Sequence, residues 1–246
     1  MLLAEPECRL GGEEAGRFRA LVERRAGGEP LHYLTAVQGF RQLELAVGPG
    51  VLVPRPETEM VVERALAHLA GVEAPLVVDV GTGSGAIALS IATERPGTTV
   101  WATEVSEEAA SWARRNVETA GAGNVTIVEG DLFAPLPEDL RGAADLVVAN
   151  PPYLSEAELA EAPVDVRNHE PVLATTAGPT GLEVAGRVVA EAPLWLRPGG
   201  WLVLETHPGQ AERLRALMLL CYRDVAILPD LAGHPRIAEG RRPEPP

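Results

Sequence analysis

Only two cysteines, Cys8 and Cys221, occur among 246 residues. Neither stands in a CxxC pair or beside histidines at ligand spacing, so no disulfide framework, structural zinc or other metal is expected. Lysine is absent: arginine supplies all 21 basic residues against 35 acidic ones, for a net charge of −14. A surface so poor in cations has little with which to displace counterions from phosphates, and direct binding of duplex nucleic acid is not expected. No apolar run approaches the roughly 18 residues of a membrane span. The opening MLLAEPECRLGGEE also lacks the basic and apolar regions of a secretory signal. These absences predict a cytoplasmic protein with no membrane partner.

Hydrophobic residues make up 46% of the chain, enough for a sizeable core, while 25 glycines and 22 prolines predict many turns. Phe18, Leu21 and Val22 recur at helical spacing from Glu13 to Arg25 and stop at Gly27-Gly28. Residues 1–35 therefore read as a short N-terminal helical segment. Alternating Phe40, Leu43, Leu45 and Val47 predict a β-hairpin over 36–50, closed by Gly48-Pro49-Gly50. The third region, 51–246, opens with VLVPRPETE and a helix running to about Leu69. From Leu76 onward, seven short apolar strands alternate with helical stretches. They fall near Leu76–Val80, Thr99–Glu104, Val125–Glu129, Asp145–Ala149, Trp201–Glu205, Tyr222–Leu228 and Pro235–Ala238. The fold class is α/β, a doubly wound and mostly parallel sheet covered on both faces.

Function first shows in Asp79 to Ala92, DVGTGSGAIALSIA, where an apolar strand enters a glycine-rich turn that opens into a helix. Gly81, Gly83 and Gly85 let the backbone pass close beneath a ligand, and the helix N-terminus offers N–H groups. Asp79, Thr82 and Ser84 complete the candidate cofactor loop. Glu104, ending the next strand, is placed to accept from ribose hydroxyls. The same glycines also satisfy the GxGxxA dinucleotide fingerprint, so at this point a nicotinamide cofactor stays open. Glu129-Gly130-Asp131-Leu132 ends the third strand, with Asp131 able to accept from an adenine amino group and Leu132 able to pack on the ring.

Asn150-Pro151-Pro152-Tyr153 ends the fourth strand. Two prolines stiffen the backbone and remove two donors, leaving carbonyls free to accept from a ligand. The Asn150 side-chain oxygen is a further acceptor, and Tyr153 can line the pocket. Such a cluster suits a planar NH2 group whose nitrogen must be aimed at an electrophilic methyl, with positioning supplying much of the rate. Hydride transfer has no evident use for it.

With these segments in order, the chain resembles the class I S-adenosylmethionine-dependent methyltransferases. More narrowly, it resembles the family that methylates N5 of a glutamine in peptide-chain release factors. The likeness includes EPLHYLTAVQGF (Glu29–Phe40), VLVPRPETE (Val51–Glu59), HEPVLATTAGPTGLE (His169–Glu183) and DLAGHPRI (Asp230–Ile237), beside the glycine loop and NPPY. It implies a seven-stranded methyltransferase sheet joined through a hairpin to an N-terminal helical part. S-adenosylmethionine would be held by Gly81 to Gly85, Glu104 and Leu132. Asn150 to Tyr153 would receive the acceptor amide and carry the catalysis, and Arg55, Pro56 and Glu57 would help form the substrate side. The implied partner is a release factor, methylated in its GGQ segment. An alternative acceptor is a peptide or small-molecule amide or amine; a nucleic-acid amine is a lesser one. Here the stretch before Glu29 is shorter than the family's usual N-terminal domain. Ala36 stands where glycine is common, Leu132 where an aromatic residue is common, and Thr206-His207 where a glycine follows a small apolar residue. His207, alone after a strand, reads as structural or exposed rather than catalytic.

Overall fold

The structure, a computed structural model, describes residues 11–245. Cys8 lies outside the described residues; Cys221 is exposed and unpaired within them. Helix α1 (Gly12–Ala26) is followed by α2 (Leu31–Thr35) and the antiparallel hairpin β1 (Val37–Phe40) and β2 (Leu43–Ala46). Next come α3 (Thr58–Leu69), β3 (Leu76–Val80), α4 (Ala86–Glu94), β4 (Thr99–Glu104), α5 (Glu107–Ala120), β5 (Val125–Glu129) and β6 (Ala144–Ala149). Three short helices, α6 (Glu156–Glu161), α7 (Val164–His169) and α8 (Val172–Thr175), precede α9 (Glu183–Trp195) and β7 (Leu196–Glu205). The chain then forms α10 (Ala211–Met218), β8 (Arg223–Pro229) and β9 (Pro235–Arg241).

The main sheet has seven strands in the order β5-β4-β3-β6-β7-β9-β8. Pairing is parallel throughout except for β9, which runs antiparallel to both β7 and β8. Its strands read as nearly unbroken apolar runs because both faces are covered. On one face, Val61, Val62 and Leu69 of α3 and Leu89 and Ile91 of α4 pack on Val77, Val100, Leu146 and Val203. On the other, Val188 and Trp195 of α9 and Leu214 and Met218 of α10 pack on Val78, Val147, Leu202 and Leu204. Strand order reverses between β3 and β6, and ligands of open α/β sheets bind at the carboxyl ends beside such a reversal. Among the described residues no helix is long and apolar enough to cross a membrane.

The seven predicted strands all form, three of them with the predicted bounds; β7 begins earlier, at Leu196, and β9 extends to Arg241. Helices α2, α6, α7 and α8 were not foreseen in the sequence. The hairpin seats on α5 through Asn116, which accepts from the Ala46 N–H (2.8 Å) and donates to the Ala46 carbonyl (3.0 Å). The same Nδ2 donates to the carbonyl of Ser84 in the glycine loop (2.9 Å).

Candidate active site

The glycine loop joins β3 to α4 at the carboxyl edge of the sheet. Gly81 (φ 72°) and Gly83 (φ 58°) are in the left-handed region, and a β-carbon on either would meet nothing within 4 Å. Here glycine is needed for its backbone conformation, and the space above the loop stays open for a ligand. Gly85 (φ 85°) caps α4, where a β-carbon would press on Leu89 at 3.3 Å, so its part is helix packing. Glu104 accepts from the Gly83 N–H (2.8 Å) and the Ser106 N–H (3.0 Å), which holds its carboxylate at the crevice wall. Asp79, expected among the cofactor contacts, lies fully buried behind the loop. Its Oδ2 accepts from the Thr82 hydroxyl (2.6 Å) and the Ala88 N–H (3.1 Å), so it braces the loop from below. Burial pushes its carboxyl up to about 7 against those two hydrogen bonds, and Oδ1 has no protein partner.

Asn150 follows β6, the strand next to β7, whose last residue is Glu205. Helix α3 starts above both, and its first residue, Thr58, joins them. The Thr58 hydroxyl donates to Glu205 Oε2 (2.6 Å) and accepts from Asn150 Nδ2 (3.1 Å). Thr58 and Glu205 are buried, at 3% and 2% exposure. Burial pushes the Glu205 carboxyl up to about 7, opposed by the Thr58 hydrogen bond and the charge of Arg236. Further along, the carbonyl of Tyr153 accepts from Gln210 Nε2 (2.7 Å), whereas the carbonyls of Pro151 and Pro152 accept from none of the described residues. One of the carbonyls expected to serve a ligand is thus used as an anchor. His207 accepts from the Gly209 N–H (3.3 Å) and stacks beside Tyr153, which makes it a brace for the turn.

Two cavities meet at this edge. The first, of about 300 Å³, is lined by Gly81 to Ser84, Glu104, Asp131, Leu132, Asn150 and Pro152, joined by Thr58 of α3. The second, of about 330 Å³, is lined by Arg55, Asn150, Tyr153, Glu158 and Glu170, under the short helices α6 and α7. Leu52, Asn150 and Ala174 belong to both. Arg55 clasps both oxygens of buried Glu170 at 2.6 Å, whose carboxyl burial raises above its ordinary range. Pro56 and Glu57, expected beside Arg55 on the substrate side, are exposed and line neither cavity, because they form the surface turn that starts α3. Pro151 is buried beneath the segment and lines neither. Asp131 is engaged by Arg187 of α9 (2.8 and 3.2 Å), a wall residue that the sequence did not single out. Leu132 holds a left-handed backbone (φ 47°), a strained conformation of the kind that gathers at binding sites.

Residues 59–165 match the family model described as the methyltransferase small domain, and residues 1–35 match that of the PrmC N-terminal domain. The chain is 45% identical over 239 residues to the release factor glutamine methyltransferase of Moorella thermoacetica, covering 96% of this chain and 83% of that one. It is 44% identical to the protein of the same name from Deinococcus radiodurans, covering 94% and 83%. Among solved structures, the Thermus thermophilus 16S rRNA N2 G1207 methyltransferase in complex with AdoMet and guanosine shares the fold. Its TM-score is 0.63 at 22% identity, over 84% of this chain and 49% of that one. High identity along nearly the whole chain, over a glycine-loop crevice that opens beside NPPY, places it in the release factor glutamine methyltransferase family.

Proposed function

We propose that this protein transfers a methyl group from S-adenosylmethionine to the side-chain amide nitrogen (N5) of the GGQ glutamine of a peptide-chain release factor, in the cytoplasm. One observation carries the reading: a crevice with the features of a cofactor site and a second cavity share Asn150 as a common wall. The residues of the first cavity fit the cofactor. Open space above Gly81 and Gly83 leaves room for its backbone-hugging part, and the carboxylate of Glu104 stands at the end of β4 to accept from ribose hydroxyls. Leu132 and Asp131 border the place for the base. Bound there, the cofactor supplies an electrophilic methyl group on a sulfonium.

The second cavity would take the glutamine, and the shared wall would bring its amide to the reacting edge. An amide nitrogen is a poor nucleophile because its lone pair is delocalised, so catalysis rests on aiming it. Asn150 Oδ1 and the unengaged carbonyl of Pro152, both on the first cavity, are acceptors that can hold two N–H groups and fix the nitrogen's direction. Residues 1–35 and the hairpin at 36–50 would serve the protein acceptor, leaving 51–246 as the catalytic domain. The test is mass spectrometry of purified release factor incubated with labelled S-adenosylmethionine and either this protein or its Asn150→Ala variant. Label on the GGQ glutamine that drops about 10²-fold in the variant supports the reading. An unlabelled release factor would shift the acceptor to a peptide or small amide.

A further inference from the structure

We infer that Thr58 and Glu205 are positioning residues for methyl transfer: their hydroxyl–carboxylate pair fixes which end of the Asn150 amide faces the acceptor. The inference rests on the proposed function and deepens it.

The argument is a count of protons. Thr58 has one hydroxyl proton, and at 2.6 Å from Glu205 Oε2 it is given to the carboxylate in a charge-assisted bond of the usual short length. The hydroxyl oxygen then has only lone pairs to offer. Facing it at 3.1 Å, the Asn150 amide can present only its NH2. Reversed, the amide would set Oδ1 against those lone pairs. Its oxygen is therefore directed away from α3, where it accepts from none of the described residues and is available to the substrate. An acceptor amide that must be gripped by its N–H groups needs this orientation, because a second NH2 would repel it.

Glu205 decides the direction of the relay. A protonated Glu205 would donate to Thr58, which frees the Thr58 proton to seek Asn150 Oδ1 and favours the reversed amide. Charged and titratable groups face this carboxylate from several elements. Arg55 and Glu57 precede α3, Tyr153 follows β6, and Arg236 stands on β9. Arg236 and Arg55 favour the ionised form, whereas Glu57 and burial oppose it. Arg236 is itself paired with Asp230 at 3.5 Å, which joins the DLAGHPRI segment to the relay.

The experiment compares Thr58→Val, Thr58→Ser and Glu205→Gln with the unmodified protein, using release factor and S-adenosylmethionine. Thr58→Val keeps the shape and removes the hydroxyl; kcat is expected to fall about 10²-fold, the scale of a misaimed group, with cofactor affinity retained. Thr58→Ser restores most of kcat. Glu205→Gln carries a donor, as protonated Glu205 does, but cannot titrate, so kcat/KM for the acceptor is expected to stay low at every pH, without the rise that ionisation of Glu205 gives the unmodified protein. In parallel, the side-chain NH2 of Asn150 is followed by NMR: its protons exchange slowly in the unmodified protein and fast in Thr58→Val. Unchanged kcat in Thr58→Val, or equal exchange in both proteins, overturns the inference. Should the unmodified protein leave the release factor unlabelled, the functional reading fails, and the exchange comparison still decides the relay.

Discussion

Gly181 lies directly against the carbonyl of Tyr153, in a space where a β-carbon would collide with that oxygen and with Gln210 Nε2. The close approach lets Gln210 donate to Tyr153 at 2.7 Å and fixes the far end of the NPPY segment. Gly181 also has φ +73°, where an L side chain costs about 1–2 kcal/mol. Gly181→Ala is therefore expected to lower stability by at least about 1 kcal/mol and to lower kcat more than it changes cofactor affinity. Urea unfolding, calorimetry and turnover together check this; an unchanged kcat would mean that the Tyr153 anchor is dispensable.

Glu104 has two tasks. It accepts from Gly83 and Ser106 and is proposed to accept from the ribose. Glu104→Gln keeps the shape but weakens charge-assisted bonds, each worth about 1.5–3 kcal/mol. The affinity for S-adenosylmethionine, measured by calorimetry, should fall on the order of tenfold or more, and the melting temperature should fall too, because the single amide oxygen can accept from only one of the Gly83 and Ser106 N–H groups. Equal affinity would refute a ribose role.

Asp79 predicts a pH effect on folding rather than on binding. Its carboxyl is pushed from 3.8 up to about 7 by burial, so between those values the folded chain holds a proton that the unfolded chain releases. Asp79 thus contributes a fall in stability as pH rises from about 4 to about 7. Above that window its contribution is constant. In Asp79→Asn, whose carbonyl can still accept from Thr82 and Ala88, this part of the slope should vanish. Denaturant midpoints at several pH values would reveal it, and a slope identical to that of the unmodified protein would show that Asp79 does not titrate there.

Ala36 caps α2 in a left-handed conformation, φ 59°, which glycine adopts without a side-chain penalty. Ala36→Gly should remove that strain and raise stability by about 0.5–1 kcal/mol, read as a higher denaturant midpoint with unchanged turnover. A lower midpoint would mean that the added freedom of the unfolded chain outweighs the strain relieved.

The placement of candidate site segments that lie along a single stretch of chain was legible. Gly81 to Gly85, Glu104 and Asn150 to Tyr153 each end a strand, and the periodic apolar runs place those ends along one edge. Partnerships across the chain were not. Thr58 reaches Asn150 over 92 positions and Glu205 over 147, and nothing local in PRPETE separates its threonine from an ordinary helix start. Likewise, Asp131 looked free because Arg187 lies 56 positions away. The helices over the second cavity were missed because they are too short for apolar periodicity to show. Only the capping box at α6, Ser155 with Glu158, offered a signal that could have revealed one. Pro56 and Glu57 were expected on the substrate side only through the family resemblance of PRPETE, and the turn that starts α3 leaves both exposed.

Asn116 makes the hairpin and the cofactor loop one mechanical part, since a single amide grips Ala46 on one side and Ser84 on the other. A protein seated on the hairpin would pull on the floor of the crevice through that amide. A cofactor that settles the loop would stiffen the hairpin in return. Coupling of this sort is reciprocal: whatever factor the first visitor adds to the hold on the second, the second adds to the hold on the first.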